Sequence, residues 1–139
     1  TKSVHRLGEL LVRSASVGGN LLLNVGPTAA GEIVPQHAAR LRAVGEWLRV
    51  NCAAIYGTRA GVIAPPAGSV STSKGQTHYV HVLNPISDEL VLAGVPETLS
   101  SARLLRDGSA LALEQRGAQT VVILPAEQCD PLATVVVLA

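Results

Sequence analysis

Ten acidic side chains are available for acid/base work, and a positioned pair of them would be needed for general acid/base or nucleophilic catalysis. Glu32 is the best placed, in a Pro/Gly-rich loop that follows an apolar run, but that loop holds no second carboxylate. Glu9 and Glu46 fall on helix faces, and Asp107, Glu114, Glu127 and Asp130 fall in a β-rich region, where solvated surface acids are the better reading. No residue is therefore assigned as catalytic. His5 and His37 read as surface helix residues. His78 and His81 have an i, i+3 spacing that could ligate a metal on a helix, but on a strand it aims them at opposite faces, so no metal site is expected. Cys52 and Cys129 are too few and too far apart for a zinc motif or a disulfide framework; two ordinary thiols are expected, with a single bridge as the alternative. No cofactor is implied.

Asn24 is the remaining polar candidate. It interrupts the apolar run Leu21-Leu22-Leu23-Asn24-Val25 near its carboxyl end, the place where α/β folds put their ligand sites. Its amide can both donate to and accept from a substrate. The alternative is a structural amide that ties the Gly26-Pro27 loop to its neighbours, since buried polar groups are mostly satisfied internally.

These residues must be positioned by the elements around them. Gly18-Gly19 and Gly26-Pro27 bracket a short apolar segment, and 20–25 reads as a strand buried on both faces, of the parallel-sheet type. Ser3 can cap a preceding helix to about Ala15, with Val4, Leu7, Leu11 and Ala15 on one face. Pro35 suits the first turn of a second helix to about Asn51, whose Leu41, Val44 and Leu48 should lie on the sheet. Trp47 is expected as a core anchor and Tyr56 as a plug at the junction that follows. Strand, loop and helix make the βα unit of a barrel or a doubly wound sheet. An entire (β/α)8 barrel takes about 250 residues, so a barrel unit within 139 residues would need neighbours.

The texture changes between Tyr56 and Gly68. Beyond it, seven β-prone runs (69–73, 77–83, 89–93, 101–106, 110–114, 120–124 and 134–138) alternate with turns such as Asp107-Gly108. Short strands at this spacing are the pattern of an antiparallel sandwich. The expected fold is thus α/β followed by all-β, with domains 1–59 and 60–139.

Composition removes several roles. A formal charge of +1 with 15% charged residues gives no basic field for nucleic acid. No apolar run approaches the ~20 residues that span a bilayer, and the first residues lack the basic and apolar regions of a signal peptide, so no membrane partner is expected. Trp47, Tyr56 and Tyr79 are the whole aromatic complement, which is thin for stacking on sugar faces.

The motif Gly19-Asn20-Leu21-Leu22-Leu23-Asn24-Val25-Gly26-Pro27, followed by Gly31, Pro35, Arg40-Leu41, Gly45-Glu46-Trp47-Leu48 and Ala54-Ile55-Tyr56-Gly57-Thr58, resembles the closing part of the catalytic barrel of α-L-fucosidases. The resemblance covers Thr1 to about Arg59; the remainder is similar to that family's carboxyl-terminal β-sandwich in layout. It implies that 1–59 is the terminal helix-strand-helix piece of a (β/α)8 barrel and that the substrate is a terminal α-linked L-fucose on a glycan or glycoside, cleaved with retention. The resemblance also places the two catalytic carboxylates and the histidines that grip fucose on other barrel segments, so the chain alone is expected to be inactive. The alternative is a non-catalytic β-sandwich interaction module with a remnant barrel segment. In either case the strand 20–25 lacks neighbours within 1–59, and association with an amino-terminal barrel segment or with a second copy is expected.

Overall fold

The computed structural model describes residues 1–139. Helix α1 (Val4–Ser16) begins where Ser3 Oγ accepts the Arg6 N–H at 3.1 Å, the capping interaction read from the sequence. It buries Leu7, Val12 and Ala15, with Val4 and Leu11 partly covered beside them. Helix α2 (Pro35–Asn51) has Pro35 in its first turn, where the missing N–H costs nothing. It buries Val44 and Trp47 and runs on into a short 3-10 turn, Cys52–Ala54.

The strands are β1 (Arg59–Ala60), β2 (Ser69–Lys74), β3 (Thr77–Val82), β4 (Glu89–Leu92), β5 (Ala102–Leu104), β6 (Ala110–Leu111), β7 (Leu113–Arg116), β8 (Gln119–Ile123) and β9 (Thr134–Leu138). Six of them form one antiparallel sheet in the order β1-β2-β3-β9-β5-β6, and three form another in the order β4-β8-β7. The strand pattern of period two decides which residues go where. Val80, Val82, Val136 and Leu138 turn towards Leu90, Leu92, Val122 and Leu124 of the smaller sheet and make one core with them. Tyr79, Val135 and Val137 point the other way and join Leu7, Val12, Val44 and Trp47 in a second core under the helices. Strand β9 is buried along its whole length because it contributes to both.

Two contacts seat the helices. Trp47 Nε1 donates to the Ala133 carbonyl at 2.8 Å, so Trp47 is an anchor on the sheet as expected. Gly8 lies against the buried Leu132 so closely that a Cβ there would overlap the Leu132 side chain.

Three expectations need correction. Segment 20–25 forms no strand: none of the backbone groups of 20–26 takes part in a backbone hydrogen bond. A strand is defined by its neighbours, and nothing else in 1–59 lies alongside this one. Run 110–114 is two strands, because the chain leaves the larger sheet after Leu111 and enters the smaller one at Leu113. Tyr56 is 62% exposed and plugs nothing. Cys52 is exposed and Cys129 half-buried, and both are free thiols, in line with the two ordinary thiols expected rather than the single bridge.

Candidate functional site

The candidate site lies around the segment that leaves α1 and enters α2. Gly18, at φ 75°, ends α1 in the left-handed conformation that glycine accepts without strain. The chain then crosses the face of the two helices. Leu21 and Val25 are half-buried, whereas Leu22 is 84% exposed and Asn24 is exposed beyond it. One side of the segment therefore rests on the helices, and the other carries Leu22 and Asn24 into the open.

After Gly26 the chain makes a tight tongue. The Thr28 N–H donates to the Glu32 carbonyl at 2.8 Å, the Gly31 N–H donates to the Thr28 carbonyl at 2.9 Å, and Thr28 Oγ1 accepts the Glu32 N–H at 3.2 Å. Pro27 and Ile33 face each other as an isolated bridge at its base. These bonds hold Glu32 exposed on the tongue.

Two clefts border the segment. A groove of about 590 Å³ runs between the helices and 18–23, floored by Leu7, Leu11, Leu41, Val44 and Leu48. A smaller cleft of about 210 Å³ is lined by Asn24 together with Lys2, His37 and Arg40. Arg40 is fixed there by donating to the Lys2 carbonyl at 2.8 Å and the Gln36 carbonyl at 3.1 Å. Asn24 makes no hydrogen bond within the chain, so the structural tie to the Gly26-Pro27 loop is not formed here.

The acids do not assemble into a pair at this site. Glu9 is held by Arg6 at 2.6 Å and Arg13 at 2.9 Å, and these two guanidinium groups keep its carboxyl below the usual range. Glu46 pairs with Arg49. Glu89 and Glu114 share Arg116, which holds the Glu89 carboxyl down. Asp107 accepts from Ser109, and that hydrogen bonding lowers its pKa. A general acid needs the opposite shift, so none of these three behaves as one.

His5 and His37 are more covered than the surface places expected of them. His5 is half-buried and its Nδ1 meets the Pro131 carbonyl at 3.1 Å, and His37 is half-buried in the smaller cleft. His78 and His81 do lie on opposite sides of β3, yet both are buried, because the helices cover the face that carries His81. Burial lowers the pKa of both, that of His81 to about 3. Thr72 Oγ1 donates to the Ala54 carbonyl at 2.8 Å, so it accepts from His81 Nε2–H at 2.9 Å, and His81 Nδ1 is left without a partner. The two amphipathic helices make the outer face of this sheet an interior, a pairing of distant stretches that the strand's own sequence does not signal. No helix is long and apolar enough to cross a membrane.

Comparison with known proteins places this geometry. The profile of the family described as Alpha-L-fucosidase matches residues 1–53, which span α1, the open segment and α2. An α-L-fucosidase of Branchiostoma floridae is 42% identical over 112 residues, covering 78% of this chain and 25% of that protein. The solved α-L-fucosidase isoenzyme 1 of Paenibacillus thiaminolyticus superposes with a TM-score of 0.90 at 33% identity, over 99% of this chain and 34% of its own. A Bacteroides thetaiotaomicron α-L-fucosidase, solved as a trapped covalent intermediate with 2-fluoro-fucosyl fluoride, superposes with a TM-score of 0.88 at 26% identity, over all of this chain and 32% of its own. The chain thus spans about a quarter to a third of the length of the relatives it matches.

Proposed function

Because the chain belongs to the α-L-fucosidase family, we propose that it is the carboxyl-terminal portion of a retaining glycosidase that removes terminal α-linked L-fucose from a glycan or glycoside. In this reading residues 1–59 are the closing helix, strand and helix of a (β/α)8 barrel, and residues 60–139 are the β-sandwich that supports it. The observation that carries the proposal is the superposition on the Paenibacillus fucosidase over 99% of the chain, helices and sheets together. The covalent intermediate of the Bacteroides relative supports retention, which proceeds through a glycosyl-enzyme.

Retention needs one carboxylate to attack the anomeric carbon and one acid, about 5 Å away, to protonate the departing oxygen. This chain supplies neither, and both belong to other barrel segments. Its own residues supply a wall and a contact. Asn24 sits at the end of the segment that faces the barrel mouth, where its free amide can donate to or accept from a fucose hydroxyl. The tongue 27–33 rims the same opening. The helices fix both by resting on the stretch just before β9, through Trp47 on Ala133 and Gly8 on Leu132.

The test joins the chain covalently to the amino-terminal two thirds of the Paenibacillus enzyme and assays an aryl α-L-fucoside. The joined protein should release the aryl group, and the 139-residue chain alone should not exceed background. Turnover by the chain alone that disappears in Glu32→Gln would show a catalytic carboxylate here and overturn the division of labour.

A further inference from the structure

Strand β3 sends alternate side chains into two cores, and the face it turns to the helices carries one base among hydrocarbon. His81 lies there between Tyr79 and Leu83, opposite Val70 of β2 and Val135 of β9, and it is fully buried. Both edges of β3 are hydrogen-bonded to those strands, so the ring reaches water only through the helical layer. A chain of hydrogen bonds crosses the seam at this point. His81 Nε2–H donates to Thr72 Oγ1 at 2.9 Å, and the Thr72 hydroxyl donates at 2.8 Å to the carbonyl of Ala54, in the 3-10 turn that continues α2. One neutral imidazole thus ties β3 and β2 to the end of α2. Its Nδ1 is buried without a partner, so a proton added there has nothing to bond to, and its charge has no water to solvate it.

No counter-charge faces the ring. The side chains that share the seam are hydrocarbon apart from Thr72, the indole of Trp47 and the phenol of Tyr79. The charged groups of the surrounding elements are committed or turned away. On β2, Lys74 shares the face of Thr72 but is exposed, and as a cation it repels a second one. On α1, His5 meets the Pro131 carbonyl and Glu9 is held between Arg6 and Arg13. On α2, Glu46 pairs with Arg49, Arg42 is exposed, and His37 and Arg40 line the cleft at the start of the helix. Cys52, which opens the 3-10 turn, is exposed, and β9 carries no titratable side chain.

We infer that His81 is a proton-operated latch between the helical layer and the sandwich: when the ring takes up a proton, α1 and α2 lift from the larger sheet while the two sheets stay packed on each other. The seam is the part that yields because the ring lies in it, whereas the core between the sheets has twelve buried residues, none of which ionises. His78 stands on that other face of β3, beside Ser73 and Leu138.

Trp47 is the one tryptophan and its indole donates to the Ala133 carbonyl in the seam, so its emission reports whether the helices are seated. The native amide signals of β4 and β8, in nuclear magnetic resonance spectra, report the packed sheets. The test follows both through urea titrations of the chain at pH 7 and pH 5. The seated ring takes its proton near pH 3 and a solvated one near 6.5. The ratio of lifted to seated chains, extrapolated to water from the Trp47 transition, should therefore rise about 25-fold between pH 7 and pH 5. At pH 5 that transition should come at lower urea than the loss of the β4 and β8 signals. His81→Gln should hold the ratio within about threefold between the two pH values, and His78→Gln should leave the 25-fold rise intact. Coincident transitions of Trp47 and of β4 and β8 at pH 5 overturn the inference, because the chain then unfolds as one unit. So does a Trp47 transition that ignores pH in the wild-type chain, or one that keeps its pH dependence in His81→Gln. The wild-type transitions decide alone where His81→Gln does not fold.

Discussion

Lowering the pH from 7 to 5 should cost the folded chain about 2 kcal/mol, most of it through His81. This imidazole is fully buried, its Nε2–H is committed to Thr72, and burial holds its pKa at about 3, against a smaller opposing pull from the Ala54 carbonyl. In the unfolded chain the same group titrates near 6.5. Between those two values the unfolded state binds a proton that the folded state refuses. Stability is therefore complete above about pH 6.5 and falls by about 1.4 kcal/mol for each unit below it. One and a half units of descent give about 2 kcal/mol. His78, also lowered by burial, acts with the same sign. The carboxylates with lowered pKa, Glu9, Glu89 and Asp107, have ordinary values of 4.5, 4.5 and 3.8, so their losses come mainly below this window. Urea unfolding at pH 7, 6 and 5 measures the slope, and His81→Gln, which cannot ionise, should flatten it while lowering stability at pH 7. A wild-type chain equally stable at pH 7 and 5, or an unchanged slope in His81→Gln, would refute the reasoning.

Trp47→Ala should destabilise the chain by about 3 to 5 kcal/mol in urea unfolding followed by far-ultraviolet dichroism, because it empties a core position and leaves the Ala133 carbonyl without its donor. Asn24→Ala should change stability by less than about 0.5 kcal/mol, since the side chain is exposed and unbonded. In the covalently joined enzyme the same substitution should lower kcat/KM by about tenfold to a hundredfold, the loss of a hydrogen bond to substrate; unaltered kinetics would remove Asn24 from the site.

Local rules made most elements legible. Ser3 and Pro35 marked two helix starts through capping and a missing N–H, and α2 occupies the stretch its apolar spacing indicated, Pro35–Asn51. Thr77-His78-Tyr79-Val80-His81-Val82 showed the alternation that β3 uses to serve two cores. What failed was non-local. Strand status for 20–25 depends on partners outside the segment, so its sequence cannot supply it. The sheet change at Ala112 is a tertiary decision inside one β-prone run. The burial of His81 depends on helices far from it in sequence, and so does the lack of cover over Tyr56. At the candidate site, Asn24 was found from its position at the end of an apolar run, while the cleft it shares with Lys2, His37 and Arg40 needed three separate stretches to meet.

The seat of the helices sets an order on the birth of the molecule. Both helices are made before the strands they rest on, so Trp47 must wait 86 residues for the Ala133 carbonyl, and His5 waits 126 residues for that of Pro131. Strand β9, which follows directly, is also the central member that β3 and β5 pair with. Until it emerges, the nascent chain has a helix pair with no floor and a sheet in two pieces, with Leu7, Val44 and Trp47 uncovered. Contacts this distant in sequence close slowly. Translation therefore exposes apolar surface until β9 is made, and a chaperone that binds such surface has its window during that interval.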